Sequence, residues 1–171
     1  MKDFLTLSKE RYSCRDFSSK KVPEELVEKI KECALAAPTA VNRQPWKVWV
    51  VSSEEALSRI APTTRSNYGA PLIFVVGVDS SKAWVRGFDG KNGAEIDGAI
   101  VATHILLEAQ DLGLASVWVA SFDPALLSEV LPGSDSYHPV AMIYVGYPGE
   151  KAAPSPMHGT RKDPSEVFED L

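Results

Sequence analysis

The chain has 171 residues, 44% hydrophobic and 24% charged. That balance fits one domain able to bury most of its apolar surface and excludes a disordered polypeptide. A net charge of −5 and a pI near 5.2 argue against general electrostatic attraction to nucleic acid or an anionic membrane, so each basic group has to be read in its own surroundings.

Asp3 is placed to cap a helix running to Glu10. The next stretch, RYSCRDF, sets Arg11, Ser13 and Arg15 at alternate positions, so an extended backbone points all three to one side. Two guanidinium forks and a hydroxyl match a phosphate; the competing reading is a solvated charged face paired with Asp16 and Glu10. Cys14 is no phosphatase-type nucleophile, because position 20 is Lys20 rather than arginine and the intervening residues lack glycine; it reads as a small buried side chain. With Cys33 it makes too few cysteines for a disulfide framework. The opening MKDFLTLSKE has no apolar signal core and no uncharged run nears the ~18 apolar residues of a membrane span, so a reducing, cytoplasmic setting is expected.

Val22-Pro23-Glu24-Glu25 opens a second helix, with Leu26, Ile30, Cys33 and Ala37 at helical spacing and Pro38 as its stop. The following loop, AAPTAVNRQPW, crowds Pro38, Thr39, Asn42 and Gln44 together. Their amides and hydroxyl suit a heteroaromatic ring bearing carbonyls and ring nitrogens, or else cap the helix and satisfy their own backbone. Strands are expected at 46–52, 72–78, 115–120 and 139–145, enough for one central sheet.

Between the second and third strands, residues 94–112 form a helix whose polar residues Asp97, His104, Glu108 and Asp111 share one narrow stripe. Such a helix is either the centre of the core or part of a subunit interface. The stripe is no metal site: its spacing is not HExxH, and His138 and His158 lie in separate loops. There is no GxGxxG or GxxxxGK[ST]; GFDGKNG reads as a flexible turn. Trp84 and Phe88, in the connection before this helix, either form a lid over a planar ligand or cover an edge of the core. Beyond Tyr147, prolines and the absence of apolar periodicity describe an extended arm, residues 148–171, of the one domain 1–171.

Taken together the segments resemble the nitroreductase family of FMN-dependent oxidoreductases. RYSCRDF resembles the family's Arg-x-Ser-x-Arg-x-Phe opening, and APTAVNRQPW its Ala-Pro-Ser-x-x-Asn-x-Gln-Pro-Trp signature, with Thr39 in place of serine. EIDGAIVATHILLEAQDLGLASVWVASFDP resembles the central-helix and strand block, IYVGYP the next strand, and PMHGTRKDP the arginine-bearing tail.

Helices alternating with strands would by themselves suggest a doubly wound parallel sheet. The resemblance instead implies an α+β homodimer with a mixed, largely antiparallel sheet and the central helix buried between subunits. It implies that Arg11, Tyr12, Ser13, Arg15 and Arg161 bind the FMN phosphate side, with Cys14 facing away. Pro38, Thr39, Ala40 and Asn42 would reach the flavin from the second subunit, and Val119 and Ala120 would lie along its other side. It further implies hydride transfer from NADH or NADPH through flavin N5 to a nitroaromatic or quinone, with no catalytic side chain. A flavin-binding sensor or storage protein with little turnover is the alternative, and an anion-binding domain without flavin a third reading. The chain departs from the family at Gly113-Leu114-Ala115 and Val119-Ala120, where added methyls would narrow the space beside the flavin, and in the short connection at 80–93.

Overall fold

The computed structural model describes residues 3–171. Asp3 caps α1 (Phe4–Glu10) by accepting the Thr6 amide at 3.0 Å. Helix α2 (Glu24–Leu35) begins after Pro23 with glutamates in its first turn, where they complement the helix dipole. Strand β1 (Trp46–Val51) follows, then α3 (Glu54–Ile60), β2 (Leu72–Val78), α4 (Ala94–Asp111), β3 (Ala115–Val119), α5 (Pro124–Val130) and β4 (His138–Gly146).

The strands lie in the order β1-β2-β4-β3, and every pairing between them is antiparallel. Among the described residues the parallel component is a single bridge, Ser13 to Ser116, by which the RYSCRDF segment runs beside β3. The fold is therefore α+β, as the resemblance implied, and not doubly wound.

Strand β2 is buried along its whole length because both faces are covered. On one face, Phe74, Ile143 and Val145 pack against Ile30 of α2 and Val101 and Ile105 of α4. On the other, Val75, Met142 and Val117 meet Ile60 of α3, Leu127 of α5 and the inward Cys14 and Phe17. Helix α4 approaches the sheet so closely at Gly98 that a Cβ there would lie 2.7 Å from Val78 Cγ1 and 3.0 Å from Val140 Cγ2. A methyl at this point forces valines that cannot swing aside, an overpacking worth about 1–3 kcal/mol.

The polar residues of α4 do not make one wet stripe. Asp97 is only 2% exposed and turns inward; the outer face instead carries Ile96, Ala99, Ile100 and Thr103, with Ile96 52% exposed. Among the described residues no helix is long and apolar enough to cross a membrane.

The turn after β2 is pinned by Asp79. Its carboxylate accepts the Ser81 amide and hydroxyl at 3.0 and 2.6 Å and pairs with Lys82 at 2.8 Å. The Lys82 and Ser81 hydrogen bonds pull its pKa down to about 2. A folded-state pKa below the unfolded one stabilises the fold above the ordinary aspartate range of about 4, and that contribution is lost as pH falls through about 2. Thermal midpoints should accordingly fall less steeply for Asp79→Asn than for the parent chain as the pH is lowered across that window.

Candidate functional site

The RYSCRDF segment leaves α1 at Arg11, whose backbone amide closes the helix on the Leu7 carbonyl at 3.0 Å. It then docks on β3 through Cys14 N–H to the Ser116 carbonyl at 3.0 Å. Alternation follows from that docking. Cys14 is fully buried in the second core, its thiol 3.1 Å from the Asp16 carbonyl, while Ser13 is half-buried and Arg15 exposed. The buried Cys14 is a packing residue.

The arm brings a further cation to the segment. His158 packs edge-on against Tyr12, with ring centroids 6.3 Å apart, and its Nε2 lies 3.0 Å from the Lys9 carbonyl. Arg161 next to it donates to the His158 and Thr160 carbonyls, each at 2.7 Å. Arg11 thereby faces Arg161: burial, and then the neighbouring guanidinium, both lower its pKa. Among the described residues, none of Arg11, Arg15 and Arg161 forms an ion pair with a carboxylate. Asp16, the suggested counterion, accepts the Lys151 amide at 2.9 Å and ties down the start of the arm instead. Two guanidiniums within electrostatic reach of one another, neither ion-paired among the described residues, fit a dianionic phosphate.

The loop after α2 is built differently. Val41, Asn42 and Gln44 all have positive φ, 46°, 56° and 49°, a conformation that non-glycine residues hold only when their surroundings impose it. Thr39 Oγ1 accepts the Gln44 amide at 3.1 Å, and the Gln44 side chain donates to Asn42 Oδ1 at 3.0 Å. The Thr39 and Gln44 groups thus serve the loop itself, as one reading of the sequence anticipated, whereas Pro38 and Asn42 stay exposed. Asp97 holds the loop from below, its Oδ1 accepting the Ala40 amide at 3.0 Å; its Oδ2 is sealed from solvent without a partner. The sequence placed Asp97 on the polar stripe of α4 and weighed it as a metal ligand, not as an anchor for this loop. Among the described residues no cluster could hold a metal ion.

These two groups sit toward opposite ends of α4. Asp97 anchors the loop, and Ser116, the partner of Ser13, donates to the Leu106 carbonyl nine residues later at 3.4 Å, a separation of about 13 Å along the helix axis. The apolar outer face of α4 runs between them. Val119 is buried at the end of β3, and Ala120 lines a shallow hollow with Glu95 and Ala99 near the loop end. Ahead of α4, Arg86 N–H donates to the Lys91 carbonyl and Gly93 N–H to the Trp84 carbonyl, forming a hairpin clamped by Arg86 and Asp89. Phe88 is fully exposed near its tip and covers no core edge.

Residues 8–68 and 65–147 match the model of the nitroreductase family. A nitroreductase family protein from Clostridium difficile 630 is 38% identical, with 98% of each chain covered and a TM-score of 0.89. The NADH dehydrogenase of Thermus thermophilus is 30% identical over 186 residues, 90% of each chain. A nitroreductase with bound FMN from Desulfitobacterium hafniense DCB-2, 24% identical over the whole of both chains, shares the fold with a TM-score of 0.74.

Proposed function

Because the chain belongs to the nitroreductase family, we propose that it is an FMN-dependent oxidoreductase that takes electrons from NADH or NADPH and delivers them to an electron-poor acceptor of nitroaromatic or quinone type. The observation that carries this reading is the pair Arg11 and Arg161, two cations that the arm brings within electrostatic reach of one another, neither forming an ion pair with a carboxylate among the described residues. FMN, when bound, supplies the two-electron transfer between pyridine nucleotide and acceptor. The chain's own residues bind and orient. Arg11 and Arg161, with Ser13 and Arg15, hold the phosphate, and Tyr12 braces His158 behind them. Asn42 presents its side-chain amide toward the ring, from a loop that the Thr39 hydroxyl and Asp97 brace.

The apolar outer face of α4 supports a homodimer, since an exposed Ile96 beside Ala99 and Ile100 is stabilised by a second apolar surface. In that arrangement Pro38, Thr39, Ala40 and Asn42 of one protomer reach the flavin held by the other, and Val119 and Ala120 border it from the holding protomer. The same site requires no acid or base from the protein.

The test is a visible spectrum of the purified protein, chromatographic identification of any released chromophore, and NAD(P)H oxidation with added acceptor. FMN near one per chain that NADH or NADPH reduces supports the reading. A bound flavin that neither nucleotide reduces overturns the reductase and favours a storage or sensing protein. Cys14→Ser should leave FMN retention unchanged, because the serine hydroxyl can keep the bond to the Asp16 carbonyl; the expected cost is about 1 kcal/mol of stability, read by denaturant titration.

A further inference from the structure

On the face of the sheet opposite α4, a cavity of about 370 Å³ opens beneath α3. This is within the roughly 300–1,000 Å³ typical of small-molecule sites. Its floor is apolar: Ile73 of β2 and Tyr144 of β4, which are direct cross-strand partners, together with Leu57 and Ile60 of α3. Its rim is polar, formed by Lys21, Ser52, Ser58 and Glu54. None of these residues belongs to the cation patch or to the loop after α2.

Tyr144 is the feature that the fold does not explain. The residue is only 3% exposed, yet its hydroxyl makes no hydrogen bond among the described residues. Buried tyrosine hydroxyls ordinarily find a partner. The unpaired Trp46 Nε1 and Asp97 Oδ2 are closed off from solvent, but the Tyr144 hydroxyl is not among the occluded atoms, and Tyr144 lines the cavity. Burial, with a smaller effect of Tyr68, pushes its pKa up to about 12, so it keeps its proton and offers a donor. At the rim Lys21 forms no ion pair among the described residues, not even with Glu54. One neutral donor at depth, one cation at the mouth and an apolar floor between them define a ligand by its chemistry.

We infer that this cavity is a second binding site, for a small molecule with one carboxylate and an apolar body. Lys21 and the rim hydroxyls take the carboxylate, and the apolar body lies on Ile73, Leu57 and Ile60. The Tyr144 hydroxyl donates to a polar atom of the ligand or to a water trapped beneath it. Glu54 on the same rim selects against phosphates and dicarboxylates, whose extra charge it repels.

The inference is independent of the flavin reading and is tested on the protein as purified. 3-Phenylpropionate is titrated into isotopically labelled protein and amide shifts are followed, with 3-phenylpropanamide as the neutral control. The expected result is saturable binding of the acid, stronger than of the amide, with shifts clustered at residues 57–61, 69–73 and 144. Tyr144→Phe, which keeps the ring that fills the floor, should weaken binding by about 2- to 10-fold. Lys21→Ala, an exposed rim change with little consequence for folding, should weaken it by about 2- to 5-fold and abolish the preference for acid over amide. Absence of saturation, shifts confined to the surroundings of Arg11 and Arg161, or affinity unchanged in both variants would each overturn the assignment.

Discussion

Replacing Arg11 with alanine is expected to weaken retention of FMN by about 10- to 150-fold, the equivalent of one charge-assisted hydrogen bond of about 1.5–3 kcal/mol. Arg11 is the residue to choose because it is half-buried, so its guanidinium meets a phosphate oxygen with less screening than the exposed Arg15. The variant also separates binding from folding. In the protein without an anion, Arg11 and Arg161 repel one another and burial works against the Arg11 charge. Removing Arg11 should therefore leave the flavin-free protein at least as stable as the parent while reducing the stabilisation gained on adding FMN. Thermal midpoints with and without FMN, alongside fluorescence titration of the flavin, check both halves. Unchanged affinity would place the phosphate elsewhere, and an unstable flavin-free variant would make Arg11 a packing residue.

The local parts of this site were legible in the sequence and the long-range parts were not. Arg11, Ser13 and Arg15 at alternate positions announced an extended segment with Cys14 on its other side, because the period of a strand is two. The positive φ values of Val41, Asn42 and Gln44 left no comparable trace. The loop that carries them is anchored by Asp97, which accepts the Ala40 amide from a helix 57 positions later in the chain. The return of the arm was legible only through the resemblance, which joined Arg161 to Arg11: His158 meets the Lys9 carbonyl across 149 positions, and composition by itself described only an extended, proline-rich segment. Helices α3 and α5 escaped notice despite the Ser53 and Asp123 caps and Pro124 in the first turn of α5. Seven residues give too few apolar repeats for periodicity to register. The strands were visible, but their antiparallel order was not read from them; only the resemblance implied it, and in the fold α2 and α4 share one sheet face while α3 and α5 cover the other.

Ile96→Asp is expected to convert the proposed dimer to monomers at micromolar concentration and to release FMN with the same change. Ile96 is 52% exposed on the outer face of α4, between the loop anchored by Asp97 and the hollow beside Ala99. In a two-fold symmetric dimer the substitution appears twice, and each copy buries a carboxylate opposite apolar groups without a partner, at a cost of several kcal/mol. In the monomer the same carboxylate stays in water, so the fold itself should be nearly unaffected and circular dichroism should match the parent. Sedimentation velocity reports the assembly and the absorbance of the gel-filtered protein reports the flavin. Loss of both together is the outcome required if Pro38, Thr39, Ala40 and Asn42 complete a site whose phosphate is held by the other protomer. A monomer that keeps its FMN would show that Arg11, Ser13 and Arg161 of one chain suffice. The loop after α2 would then owe its unusual backbone to something other than the cofactor.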